Sequence, residues 1–213
     1  EIHWRDWSSD VCSSDLSAAM PPNFALGMVL RGKTLGIRGY GKIGRLIAGY
    51  GRAFGMRVLV WGSEVSRDMA VTDGCEAAES KAQFFGNSDV LTLHLRLNDA
   101  TRAIVSFEDL ALMKPTALLV NTSRAELIAE NALVAALNRG RPGMAAIDVF
   151  DSEPILQGHP LLRLENAICT PHIGYVEQDS YEQYFGAAFE NVLAFIHKPP
   201  TNLVNPEALK VLR

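Results

Sequence analysis

The sequence predicts an α/β fold built on a doubly wound parallel sheet, and three observations carry that reading. From residue 34 onward, short apolar runs alternate with stretches of helical periodicity, as expected of strands covered by helices on both faces. The stretch GYGKIG, residues 39 to 44, follows directly on the apolar run Thr34-Leu-Gly-Ile37 and opens a helical pattern. At 213 residues, 48% hydrophobic and 21% charged, the chain can also bury one good core.

The elements follow in order. Thr34 to Gly39 reads as a first strand and Lys42 to Phe54 as a helix carrying Ile43, Leu46, Ile47, Tyr50 and Phe54, ended by Gly55. Arg57 to Trp61 is a second strand, and Ser80 caps a short helix through Phe85. Val90 to Leu95 and Ala117 to Asn121 are strands, joined through a short helix over Phe107 to Met113 that Lys114-Pro115 terminates. Glu130 to Asn138 forms a helix with apolar Ala132, Leu133, Ala136 and Leu137, closed near Gly140. Gly143 to Val149 and Ala167 to Thr170 complete the sheet. Tyr181, Phe185, Ala188, Val192 and Phe195 fall at steps of three and four, so residues 177 to 197 form one amphipathic helix whose stripe must pack on something. Pro199 to Pro206 reads as an extended linker.

Composition narrows the function classes. A net charge of -4 without a basic cluster argues against nucleic acid or an acidic membrane surface as partner. No apolar run approaches the ~20 residues of a membrane span, and the N-terminus lacks the order of a secretion signal. Cys12, Cys75 and Cys169 lack metal-ligand spacing, so no metal is expected, and reduced thiols fit a cytoplasmic location. Residues 6 to 16, DWSSDVCSSDL, have no apolar periodicity and back-translate without mismatch to a common short-read sequencing adapter. Residues 1 to 17 are therefore expected to be a non-native segment, with a solvated polar linker as the alternative. Residues 18 to 197 are expected to form the principal domain, and 198 to 213 a separate C-terminal segment.

The glycine-rich stretch solves a phosphate-binding problem. Gly39 lets the chain leave the strand in a tight turn, Gly41 lets backbone approach a pyrophosphate, and Gly44 lets the helix pack on the strand. Free N-H groups and the positive end of the helix dipole then face the phosphates, the arrangement of a Rossmann-type dinucleotide site. Ligands of such sheets bind at the carboxyl ends of the strands, where Arg124, Glu153 and His172 stand out. Singly each has a plain explanation: a loop salt bridge, a turn residue before Pro154, a loop histidine after Pro171. Together they supply a guanidinium fork for a carboxylate, an acid/base near neutral pH, and a carboxylate to orient it.

The stretches GKTLGIRGYGKIG, LMKPTALLVNTSRAELI, LNRGRPGMAAIDVFDSEP and ICTPHIGY, in this order and spacing, resemble the D-isomer-specific 2-hydroxyacid dehydrogenase family over about residues 21 to 207. The resemblance implies an NAD-binding domain and hydride transfer between a nicotinamide cofactor and a 2-hydroxy or 2-keto acid. By it, Arg124 would hold the substrate carboxylate, His172 would exchange the proton at the keto oxygen, and Glu153 would hydrogen-bond His172 and favour its imidazolium. The backbone of Lys42 and Ile43 would contact the pyrophosphate, Thr122 and Ser123 the nicotinamide ribose, and Asp148 and Gly174 the nicotinamide amide. Asp148 has an alternative as a purely structural strand-end residue. The resemblance also implies a homodimer through this domain.

Departures leave alternatives open. Where the family carries a ribose-binding aspartate, this chain has Gly62, followed by Ser63, Glu64 and Arg67. Glu64 would suit the 2′-hydroxyl of NAD, the first expectation; Ser63 and Arg67 would suit the 2′-phosphate of NADP. Arg96 and Tyr175 replace a usual proline and a frequent glycine. Relatives begin with a substrate-binding domain that is largely absent here, so weak or no turnover is expected of this chain alone. The competing reading is a non-catalytic dinucleotide-binding or scaffold module.

Overall fold

The structure is a computed structural model that describes residues 27–197 and 202–207. The adapter-like segment lies outside the described residues, as does most of the C-terminal segment.

Seven parallel strands form one sheet in the order β3-β2-β1-β4-β5-β6-β7. They are β1 (Thr34–Arg38), β2 (Arg57–Trp61), β3 (Glu76–Ala77), β4 (Val90–Leu93), β5 (Leu118–Asn121), β6 (Met144–Ile147) and β7 (Ala167–Cys169). The helices are α1 (Lys42–Ala53), α2 (Glu64–Thr72), α3 (Lys81–Asn87), α4 (Phe107–Ala111), α5 (Ala132–Asn138) and α6 (Gln178–His197). The doubly wound architecture is therefore as expected. Winding reverses between β1 and β4, where Ile37 pairs with Val60 on one side and Thr92 on the other. This switch point opens the crevice that such sheets use for ligands.

The interior explains the runs. All five residues of β1 are buried because helices cover both faces. One core gathers Leu35, Ile37, Ala48, Val58, Val60 and Ala70 beneath α1 and α2. The larger core joins Phe84, Phe85, Leu91, Leu93, Leu110, Leu119, Leu133 and Ile147 on the other face. Asp89 pins the foot of the sheet. Its carboxylate accepts from Thr34 N at 2.8 Å and pairs with Lys114 Nζ at 2.8 Å.

Several boundaries differ from expectation for local reasons. The first strand stops at Arg38 because Gly39 turns at φ +100°. The helix expected from Glu130 starts at Ala132, since Asn131 sits in the left-handed region at φ +57°. The strand expected through Val149 ends at Ile147, where Asp148 turns to bind another loop. The strand expected to Leu95 ends at Leu93, and the helix expected to Met113 ends at Ala111. The helix α2 and the strand β3 were not expected at all.

The helix α1 corrects a reading of its faces. Its apolar positions mark a helix, but the side laid against the sheet carries Gly44, Ala48 and Gly51. A methyl at Gly51 would come within 2.6 Å of Leu35, so close packing demands small residues there. Ile43, Leu46, Tyr50 and Phe54 are exposed as a consequence. The helix α6, by contrast, has no buried residue, and its stacked Tyr181, Phe185 and Phe189 face outward. The partner expected for its stripe does not come from the described residues.

Candidate active site at the carboxyl ends of the strands

The expected site residues converge on the edge of the sheet where the strands end. At the switch point Gly39 turns the chain, and a Cβ there would meet the His94 carbonyl oxygen at 2.7 Å. Gly44 packs against the Gly39 carbonyl, where a Cβ would collide. Gly41 stands in extended conformation at the head of α1, with nothing within 4 Å of where a Cβ would be. No side chain caps this helix and no acidic residue lies in its first turn. The N-H groups of Lys42, Ile43 and Gly44 are thus left for an outside acceptor, and an anionic pyrophosphate fits that donor set. Gly41, Lys42 and Ile43 border a cleft of about 700 Å³ that continues past His94 and Arg96 to Thr122, Ser123 and Arg124. Burial holds His94 below the usual histidine range, with its Nε2 at 3.0 Å from Thr92 Oγ1.

A buried asparagine shapes the far wall. Asn121, 1% exposed at the end of β5, accepts from Ser123 N at 3.0 Å and donates to the Arg124 carbonyl at 2.9 Å. Ser123 Oγ donates to the Leu93 carbonyl at 2.6 Å, fastening this turn to the neighbouring strand. Arg124 Nη1 donates to the Ser123 carbonyl at 2.6 Å, which leaves most of its exposed guanidinium free. The sequence reading named Ser123 and Arg124 but missed Asn121 as the residue that presents them. Its signal was a polar residue ending an otherwise apolar strand.

Glu153 and His172 meet as expected. His172 Nδ1 lies 2.7 Å from Glu153 Oε2, while Glu153 Oε1 accepts from Phe150 N at 3.0 Å. The bond to His172, with help from the Phe150 N-H and the nearby Arg124 charge, holds the Glu153 carboxyl below its usual range. With Nδ1 engaged, the ring nitrogen left for outside chemistry is Nε2. The pair is partly open to solvent, with the two side chains 34% and 36% exposed. His172 sits at φ +55°, a costly conformation for a non-glycine residue that surrounding contacts must hold.

Those contacts come largely from Asp148. It accepts from Thr170 Oγ1 at 2.5 Å, Ile173 N at 2.9 Å and Gly174 N at 2.8 Å, gripping the histidine loop on both sides. Gly174 is needed here, since a Cβ would lie 2.9 Å from Asp148 Oδ2. Three of about four acceptor positions on this carboxylate are filled, leaving one for a ligand. Asp148 is 5% exposed, and although burial opposes its charge, these donors and the nearby His172 hold its pKa below the usual aspartate range. Asp89 is shifted the same way: burial opposes its charge but its bonds to Lys114 and Thr34 prevail.

A folded carboxyl with a depressed pKa contributes stability above its unfolded pKa of about 4, and loses it as pH falls through the folded value. Asp148→Asn is therefore expected to cost about 1–3 kcal/mol at pH 7. The deficit should shrink as melts are repeated below pH 4, and a deficit independent of pH would exclude this account.

Arg124 joins the two halves of the site. A second recess, of about 270 Å³, is lined by Arg124, Phe150, Glu153 and His172. Arg124 borders both this recess and the dinucleotide cleft, so groups held in each would adjoin at its guanidinium. Among the described residues no cluster of three His, Cys, Asp or Glu side chains has metal-binding geometry. Tyr175 stands edge-on to His172, ring centroids 5.8 Å apart, and Arg96 faces the cleft.

Comparison with known proteins gives these features a family. The profile of the D-isomer specific 2-hydroxyacid dehydrogenase, NAD binding domain, matches residues 9–174, beginning within the adapter-like stretch. The chain is 39% identical to a glyoxylate reductase of Aeropyrum pernix over 99% of its own length and 61% of that relative's. Among solved structures, a provisional D-3-phosphoglycerate dehydrogenase of Ralstonia solanacearum is 65% identical, superposes with a TM-score of 0.83, and is matched over 91% of this chain and 58% of its own. A phosphoglycerate oxidoreductase of Vibrio cholerae is 54% identical with a TM-score of 0.78, covering 86% and 59%. The chain thus spans about three fifths of the length of these proteins. It belongs to the D-isomer specific 2-hydroxyacid dehydrogenase family, and the sheet described above is that family's NAD binding domain.

Proposed function

We propose that this chain is the nucleotide-binding half of an oxidoreductase interconverting a D-2-hydroxy acid and its 2-keto acid. The carrying observation is that the Glu153–His172 pair and the dinucleotide cleft share Arg124 as a common wall. The nicotinamide, when bound, supplies or takes up the hydride. The N-H groups at the head of α1 hold the pyrophosphate, and Thr122 and Ser123 flank the nicotinamide ribose. Ser123 meets it as an acceptor or through backbone, since its hydroxyl proton is given to Leu93. Asp148 offers its remaining acceptor position to the nicotinamide amide, beside Gly174. Arg124 pairs with the substrate carboxylate and draws electron density from the keto oxygen. His172 delivers a proton from Nε2 to that oxygen during reduction and removes it in the reverse direction, while Glu153 keeps the ring oriented and favours the imidazolium.

The exposure of the catalytic pair supports slow turnover by this chain alone, because water competes for the substrate and screens Arg124. Single-turnover oxidation of NADH or NADPH by glyoxylate or hydroxypyruvate, with protein in excess of cofactor, tests the reading. Oxidation that depends on both protein and keto acid supports it. Tight cofactor binding with no oxidation at all would favour the non-catalytic module instead.

The exposed apolar faces of α1 and α6 support self-association, and we expect a homodimer by light scattering. A monomer across the micromolar range would count against it. No helix among the described residues is long and apolar enough to cross a membrane, and the unpaired thiols of Cys75 and Cys169 fit a cytoplasmic protein.

A further inference from the structure

Resting on the reading of Arg124 and His172 above, we propose that the recess beside them selects 2-keto acids whose side group carries no charge, and that Glu126 and Asp151 set this selection by repelling a second anion. The observation is how charge is sorted along the site. The dinucleotide cleft is lined by Lys42, Arg96 and Arg124 and by no carboxylate. The adjoining recess of about 270 Å³ is lined by Glu126, Asp151 and Glu153, with Arg124 as its one guanidinium.

The charges of the recess can be followed one at a time. Glu153 is engaged by His172 Nδ1 and by Phe150 N. Arg124 is taken up once a substrate carboxylate pairs with it. That leaves Glu126, in the short turn Ala125–Leu127, and Asp151, just past β6, and neither forms an ion pair among the described residues. Arg102 lies in a neighbouring groove, where these two carboxylates and Glu130 outnumber it.

A substrate held by its carboxylate at Arg124 and by its keto oxygen at His172 Nε2 has only its side group left to place. The uncharged wall is Ala125, Val149 and Phe150, against which a small apolar or hydroxyl-bearing group can rest. A phosphate, sulfonate or second carboxylate would instead meet two unpaired like charges. A recess of this volume is roughly 6–7 Å across, shorter than the ~8 Å over which physiological salt screens. Glu126 is half-buried and Asp151 exposed, so water softens the repulsion and a penalty of about tenfold in rate is expected. Such discrimination works by rejecting the wrong substrate, with no added contact to the right one.

Oxaloacetate and 4-methyl-2-oxopentanoate test it, since they are similar in shape and differ by a carboxylate in place of an isopropyl group. In single turnovers of the whole chain with NADH or NADPH, at subsaturating keto acid, the uncharged acid is expected to react about tenfold faster. Glu126→Gln combined with Asp151→Asn should narrow that ratio to within about threefold. Raising the ionic strength from about 0.02 to about 0.5 M should narrow it in the unaltered chain as well, which keeps the test open if the double variant does not fold. A ratio under about threefold in the unaltered chain, a ratio that neither change narrows, or oxidation by glyoxylate alone would overturn the inference and leave the oxidoreductase reading standing. Oxidation by none of the three acids would overturn both.

Discussion

Replacing His172 by glutamine is expected to slow keto-acid-dependent oxidation of the reduced cofactor by roughly 10²–10⁴-fold, with cofactor affinity unchanged. Glutamine keeps a side chain of similar reach, able to hydrogen-bond Glu153, but has no proton to transfer near neutral pH. The affinity should hold because the donors at the head of α1 lie on a different turn from the histidine loop. Single-turnover traces under saturating cofactor separate these quantities, and a rate within about threefold of the parent chain would remove His172 from the mechanism given above. Glu153→Gln provides a graded companion. It keeps one acceptor oxygen for Phe150 N but turns the other position into a donor toward His172 Nδ1, and it removes the charge that favours the imidazolium, so a loss greatest at higher pH is expected of it.

The largest effect on stability is expected from Phe84→Ala, at about 3–5 kcal/mol. Phe84 is fully buried, packs edge-on against Phe85 with ring centroids 5.3 Å apart, and belongs to the larger core. It also lies directly beneath β1, where a Cβ on Gly36 would reach its ring at 3.2 Å. The cavity cannot close easily, since the sheet on one side and α4 on the other are fixed by their own contacts. Native domains are stable by only about 5–15 kcal/mol, so the variant should lose a large part of its margin and melt roughly 10 °C lower. Urea denaturation gives the value directly, and a loss below about 1.5 kcal/mol would mean that the aromatic pair contributes little beyond filling space.

Strands were the most legible part of the sequence, because two-sided burial writes them as uninterrupted apolar runs. Arg57 to Trp61 was read with its observed limits, and the other runs to within one or two residues at most ends. What escaped had no such signature. The helix α2, EVSRDMAVT, buries only Ala70, so its sequence carries too little apolar stripe to be seen. The strand β3 has two residues, too few for any period. In α1 periodicity marked a helix but not its orientation, because glycine and alanine, not the large apolar residues, meet the sheet.

The candidate site was legible at Arg124, Glu153 and His172, which stand as isolated polar residues just past strands and do line one recess. The supporting residues were harder. Asn121 and Thr170 act only through the turns they brace. Such roles depend on which strands become adjacent, which local pattern does not encode.

The strand order divides labour in a way that matters to an engineer or to natural drift. The glycine-rich turn and the head of α1 follow β1 on one side of the switch point, whereas Arg124, Glu153 and His172 follow β5, β6 and β7 on the other. The two sets share no loop. Substitutions that test dinucleotide binding at the head of α1 can thus be made and read separately from those that test proton transfer at the Glu153–His172 pair.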